Sequence, residues 1–267
     1  MTSRDSPVGV FDSGLGGLTV VRALRRSCPL ESIIYFGDTA RVPYGTKSKQ
    51  TVTHFSRQIV DFLLERGVKM VVVACNTASA LALEELKEST PIPIFGVIHP
   101  GAQAAARVTR SRHVGVVGTT ATIHSGAYSQ ALKSINKNLA VTSVACPLFV
   151  PLAEEGWTDG PVARLISREY LEPFWNNTVD TVILGCTHYP LLKNTIQASL
   201  PHGVRLVDSA EVVSESVREH LRGRDAQALT GDGHLRFFVT DLPQKFEELG
   251  ERFLGTSLPE VTLVQLD

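Results

Sequence analysis

No block of basic residues, no long apolar run and no paired-cysteine motif occurs in these 267 residues. The 26 Lys and Arg balance 27 Asp and Glu, and they do not interleave with aromatics, so nucleic acid is excluded as the main partner. No apolar stretch approaches the roughly 18 residues of a membrane span. The first residues, MTSRDSPVGVFDSG, lack the apolar core of a signal peptide, and the expectation is a soluble, cytoplasmic protein with no membrane contact. Only four cysteines occur, Cys28, Cys75, Cys146 and Cys186, far apart and without a CxxC pair. That rules out a zinc ribbon and argues for reduced thiols, not a disulfide framework, and no metal site is expected.

What is present is a repeat. The β-branched run Val71-Val72-Val73 leads through Ala74 to Cys75-Asn76-Thr77, and 111 residues later Thr181-Val182-Ile183-Leu184-Gly185 ends on Cys186-Thr187-His188. Val8-Gly9-Val10-Phe11 is echoed by Val114-Gly115-Val116-Val117 at an offset of 106. The chain reads as two copies of one α/β unit, each with a cysteine at a strand end.

Between these marks, short apolar runs alternate with helical spacing. Strands are expected near 8–11, 33–36, 71–74, 94–97, 113–117, 141–145, 181–184, 205–207, 235–239 and 261–264. Helices are expected at 14–26, 48–66, from an Asn76 cap to about Leu86, at 127–133, 162–174, 189–199, 210–221 and 244–254. Residues 37–48 and 146–156 read as irregular segments, long enough to carry function. Alternation of this kind implies parallel sheets with helices on both faces, two similar doubly wound units with a cleft between them. The turn Asp12-Ser13-Gly14-Leu15-Gly16-Gly17 invites comparison with a dinucleotide fingerprint, but Thr19 takes the third glycine position and no convincing acidic residue ends the next strand.

In doubly wound sheets ligands collect at the carboxyl ends of strands, where this reading places Asp12, Asp38, Cys75, Thr119 and Cys186. A thiol at a helix N-terminus is expected to have its pKa drawn down from about 8.5 toward neutrality. Two such thiols on opposite walls suit removal of a proton from one face of a carbon and its return to the other, which is racemisation. Nothing resembles a pyridoxal lysine site, and no cofactor is needed. Asp12 is the expected neighbour of Cys75 and His188 that of Cys186. Cys28 and Cys146 read as core residues. Asp12, Ser13, Asn76 and Thr77 also suit simple capping, Asp38, Tyr44 and Gly45 turn bracing, and Glu154 a solvated pair with Glu155.

VGVFDSGLGGLTV at 8–20, FGDTARVPYGTKS at 36–48, VVACNTASA at 72–80 and LGCTHYPLL at 184–192 closely resemble the motifs of cofactor-independent bacterial glutamate racemases, and CPLFVPLAEEG and LVDSAEVV resemble further family segments. The resemblance covers about residues 8 to 215. It implies interconversion of L- and D-glutamate for peptidoglycan synthesis, with Cys75 acting on D-glutamate and Cys186 on L-glutamate. It places Asp12, Asp38, Glu154 and His188 as assisting acid–base residues. Asp12, Ser13, Tyr44, Gly45, Asn76, Thr77, Thr187 and His188 match its substrate contacts, with Thr119 and Thr122 as further hydroxyl contacts. It also implies a homodimer and a last segment that crosses back, so that 1–98 with 208–267 form one domain and 99–207 the other. The alternatives are a racemase for another acidic amino acid such as aspartate, a one-thiol enzyme of the same superfamily, and a small-anion binder with inert thiols.

Overall fold

The computed structural model describes residues 3–175 and 178–266. β1 (Val8–Asp12) is buried along its whole length and lies between β2 (Ile33–Gly37) and β3 (Met70–Val73), with β4 (Ile94–Gly96) beyond β3. β5 (His113–Gly118) lies in the same way between β6 (Ala140–Ala145) and β7 (Thr181–Gly185), with β8 (Arg205–Asp208) beyond β7. Every one of these pairs is parallel. The strand orders 2-1-3-4 and 6-5-7-8 are one topology used twice, which is the sequence repeat expressed in space. β9 (Leu235–Val239) pairs with β2 and β10 (Val261–Leu263) with β9, so the first sheet has six strands and the second four.

Strands buried on both faces must be apolar at successive positions, and that is why they appear as unbroken Val, Ile and Leu runs. The faces alternate: Val8, Val10, Ile33, Tyr35 and Val72 enter one core cluster, while Phe11, Ile34, Phe36, Val71 and Val73 enter another. The first of these clusters also contains Val117, Val182 and Leu184 from the second sheet and Val213 and Val217 from the helix Ser209–Gly223. One continuous apolar core therefore joins the two sheets. That helix starts where β8 ends, with the Asp208 carboxylate accepting from the Ala210 N–H at 2.9 Å.

Local differences from the sequence expectation have simple causes. The segment 146–156, expected to be irregular, contains the helix Phe149–Glu154, because Phe149, Leu152 and Ala153 fall at helical spacing and are buried. The helix after Cys75 is two pieces, Asn76–Leu81 and Leu83–Ser89, and its cap is Cys75, whose sulfur accepts from the Ala78 N–H at 3.4 Å, in place of Asn76. The loop 37–48 holds two short 3₁₀ turns, Thr39–Arg41 and Tyr44–Thr46.

Candidate active site

Each sheet has its topological switch between two neighbouring strands, β1 and β3 in one, β5 and β7 in the other. The loops leaving those strands meet in one cleft of about 200 Å³, below the roughly 300–1,000 Å³ of sites for drug-sized ligands and suited to a small metabolite. From the first half come Ser13, Tyr44, Gly45, Cys75, Asn76 and Thr77. From the second come Thr119, Glu154, Cys186, Thr187 and His188. No Lys or Arg is among these described lining residues, so an anionic group here must be met by hydroxyls, amides and the imidazole.

Cys75 and Cys186 are both buried, each following a β-strand at the equivalent position of its sheet. The Cys75 thiol donates to the Ser13 hydroxyl at 3.7 Å. Its environment reverses the expectation of a lowered pKa. Burial, with the charge of Asp12 next in size, pushes the thiol up to about 12, and the Ala78 N–H and Ser13 hydroxyl only partly oppose this. A helix of six residues that offers the sulfur one N–H does not outweigh desolvation.

Cys186 stands beside a two-residue relay. His188 Nδ1 lies 3.8 Å from Cys186 Sγ, and His188 Nε2 lies 3.0 Å from Glu154 Oε1. Burial disfavours a charged ring, yet the hydrogen bonds to Cys186 and Glu154 and their negative charges prevail and push His188 up to about 10. The two neighbours thus make the ring hold a proton more tightly than an ordinary imidazole does, and a protonated ring would donate from both nitrogens. Burial alone would raise Glu154, but the bond from His188, its charge and that of Lys245 hold the carboxylate below its ordinary range.

Asp12 is fully buried behind this surface and does not line the cleft; its carboxylate accepts from the Gly14 N–H at 3.0 Å and the Thr187 hydroxyl at 3.4 Å. Burial raises its pKa against the pull of the His188 charge. Asp38 is also outside the lining. One oxygen accepts a short hydrogen bond from the Tyr44 hydroxyl, the other bonds from Arg41 Nε and Thr240, so Asp38 braces the loop that carries Tyr44. Thr122 stands one layer back: Thr77, Thr119 and Thr122 form a triangle of hydroxyls at 3.0–3.2 Å across the two halves.

The amide of Asn76 stands out: its Oδ1 accepts from the Tyr128 hydroxyl at 2.7 Å, while its buried Nδ2 has no partner among the described residues. A buried donor left unpaired in a cleft wall is an offer to a ligand oxygen. The sequence reading missed the apolar side of the cleft, Val42, Pro43, Pro147, Val150 and Pro151. The prolines of 146–156 marked that segment as special, but nothing in its spacing gave the direction of these side chains.

Comparison with known proteins agrees with the geometry. A family model described as Asp/Glu/Hydantoin racemase matches residues 18–217. The chain is 54% identical to the glutamate racemase of Geobacter metallireducens over 97% of both chains. It superposes on a glutamate racemase isoform of Bacillus anthracis with a TM-score of 0.95 at 41% identity, covering 98% of each chain. The glutamate racemase of Francisella tularensis, solved in complex with D-glutamate, gives 0.93 at 41% identity, with 99% of each chain covered.

Proposed function

The chain belongs to the Asp/Glu/hydantoin racemase family, and on that premise we propose that it interconverts L- and D-glutamate by proton transfer between two thiols, without a cofactor. The observation that carries this reading is the entry of Cys75 and Cys186 into one cleft from equivalent strand ends of two like sheets. From D-glutamate, Cys75 as thiolate takes the α-proton and Cys186 as thiol returns one to the opposite face. From L-glutamate the roles exchange. Each turnover leaves the pair of sulfurs with one proton between them, moved from one side to the other.

A thiol pushed up to about 12 is a reluctant base in the empty cleft. The α-ammonium of an incoming amino acid supplies the positive charge that offsets this, because an opposite charge within about 4–6 Å favours the thiolate. The unpaired Asn76 Nδ2 and the hydroxyls of Ser13, Thr77, Thr119 and Thr187 are the donors available to the two carboxylates. His188, held by Glu154, donates toward Cys186 and assists its exchange of a proton. Asp12 fixes Thr187 and the Gly14 turn, and Asp38 with Tyr44 fixes the loop that carries Gly45.

In this reading residues 1–98 with 208–267 form the unit that carries Cys75, and 99–207 the unit that carries Cys186. The enzyme works in the cytoplasm as a homodimer and supplies D-glutamate for peptidoglycan. The decisive experiment follows glutamate in heavy water, with and without pyridoxal phosphate. Deuterium should enter the α-carbon as optical activity is lost, at the same rate in both samples. Binding without exchange would leave an anion-binding protein, and faster turnover of aspartate than glutamate would reassign the substrate.

A further inference from the structure

Resting on that racemase reading, we infer that Arg252 and Phe253, in the helix Pro243–Leu254 that links β9 to the edge strand β10, are positioning residues for the His188–Glu154 pair of the other half. Three side chains of this one helix converge on the pair. Arg252 Nη1 donates to the backbone carbonyl of Glu154 at 2.9 Å. Phe253, fully buried, meets the His188 ring edge to face, with centroids 5.2 Å apart and planes at 81°. Lys245, seven residues before Arg252 and so on the same side of the helix, is near enough for its charge to hold the Glu154 carboxyl low.

Each contact meets a local need. Glu154 is the last residue of the helix Phe149–Glu154, and its carbonyl is among those a helix end leaves without an internal partner. A guanidinium there satisfies the carbonyl and complements the negative end of the helix. The chain then turns at Gly156 with φ of 76°, and a Cβ at that position would lie 2.8 Å from Arg252 Nη1, so a bare glycine lets the guanidinium lie against the turn. The aromatic edge-to-face contact sets the tilt of the imidazole, and the tilt decides whether Nδ1 can reach Cys186 while Nε2 reaches Glu154. The last helix therefore aims the relay that serves Cys186 and, among the described residues, makes no corresponding contact with Cys75.

That one-sidedness gives the test. Arg252 is exposed, so Arg252→Ala leaves the core intact. Turnover should fall roughly tenfold, a fraction of the roughly 10²–10⁴ that a positioned acid–base group supplies. Isotope effects on kcat/KM are then measured from L- and D-[2-²H]glutamate. From the L side, where Cys186 removes the deuteron, the effect should rise, because that step has become slower. From the D side, where Cys75 removes the deuteron and Cys186 only returns a solvent proton, it should shrink. Phe253→Leu should show the same asymmetry, and Arg252→Lys should recover part of the loss. Turnover within about twofold of the parent, or a loss with both isotope effects unchanged or moved in the same sense, overturns the inference. A parent enzyme that racemises neither enantiomer would instead overturn the functional reading beneath it.

Discussion

The Tyr128 hydroxyl and the Asn76 side chain are joined by a 2.7 Å hydrogen bond that links the second sheet's helix Ala127–Ile135 to the helix that follows β3. Because the bond uses the carbonyl end of the amide, the NH₂ end is free for a ligand. Tyr128→Phe keeps the ring and removes only the hydroxyl, after which the carboxamide can turn. The expected result is a KM raised several-fold for both enantiomers with kcat changed less, as for a contact made equally in ground and transition states. Steady-state kinetics from both enantiomers read this directly, and an unchanged KM would remove Asn76 from substrate binding.

The two-thiol reading predicts that Cys75→Ser and Cys186→Ser each lower racemisation by orders of magnitude, since serine is a far weaker acid and base near neutral pH. Both variants should still bind glutamate, because the change is nearly isosteric and the polar donors of the cleft remain. Circular dichroism of the substrate measures the first effect and calorimetric titration the second. Near-parent turnover in either variant would break the scheme.

The parts of the site that could be read in the sequence are those where local chemistry and element boundary coincide. A β-branched strand that stops on cysteine announces both a sheet edge and a thiol, and this located Cys75 and Cys186 and, with the glycine turn after β1, Asp12 and Ser13. The repeat marks two like α/β units, while the strand order they share is visible only in the pairing of the sheets. What escaped depends on contacts remote in sequence. Tyr128 and Asn76 are 52 residues apart, Arg252 and Glu154 are 98 apart, and no spacing rule reaches that far. The direction of the Cys75 pKa was misjudged because the helix end is visible in sequence and full burial is not. For Asp38 the sequence leaves two directions open, since a carboxylate at a strand end can face the cleft or the loop that frames it, and its bonds to Tyr44 and Thr240 take the second.

Gly16 makes a close approach that couples the halves. A Cβ there would overlap Thr187 Oγ1 and lie 2.5 Å from His188 Nδ1, both in the other half. Gly16→Ala is therefore expected to displace the segment that carries Cys186, at a cost of about 1–3 kcal/mol in stability, as for an overpacked core. Activity should fall more than tenfold while the fold persists. Thermal unfolding followed beside turnover separates the two effects, and a variant with parent-like kinetics would mean that the halves do not need this closeness.

The His188–Glu154 pair makes stability depend on pH in a definite direction. Its neighbours Cys186 and Glu154 push the folded imidazole up to about 10 from an ordinary 6.5, so its contribution should be complete below about 6.5 and fade as pH rises toward 10. Glu154 is held below its ordinary 4.5, so its contribution is present above that value and fades as pH falls beneath it. The half-exposed carboxylate is screened by solvent, which leaves the buried imidazole as the larger part. In His188→Gln both contributions vanish with the charge. The melting-temperature gap between parent and variant should be widest near pH 5–6 and close progressively through the alkaline range, as expected of a group whose folded pKa exceeds its unfolded one. A gap of constant size from pH 5 to pH 10 would show that His188 stays neutral in the folded protein and that the relay to Cys186 begins with an uncharged ring.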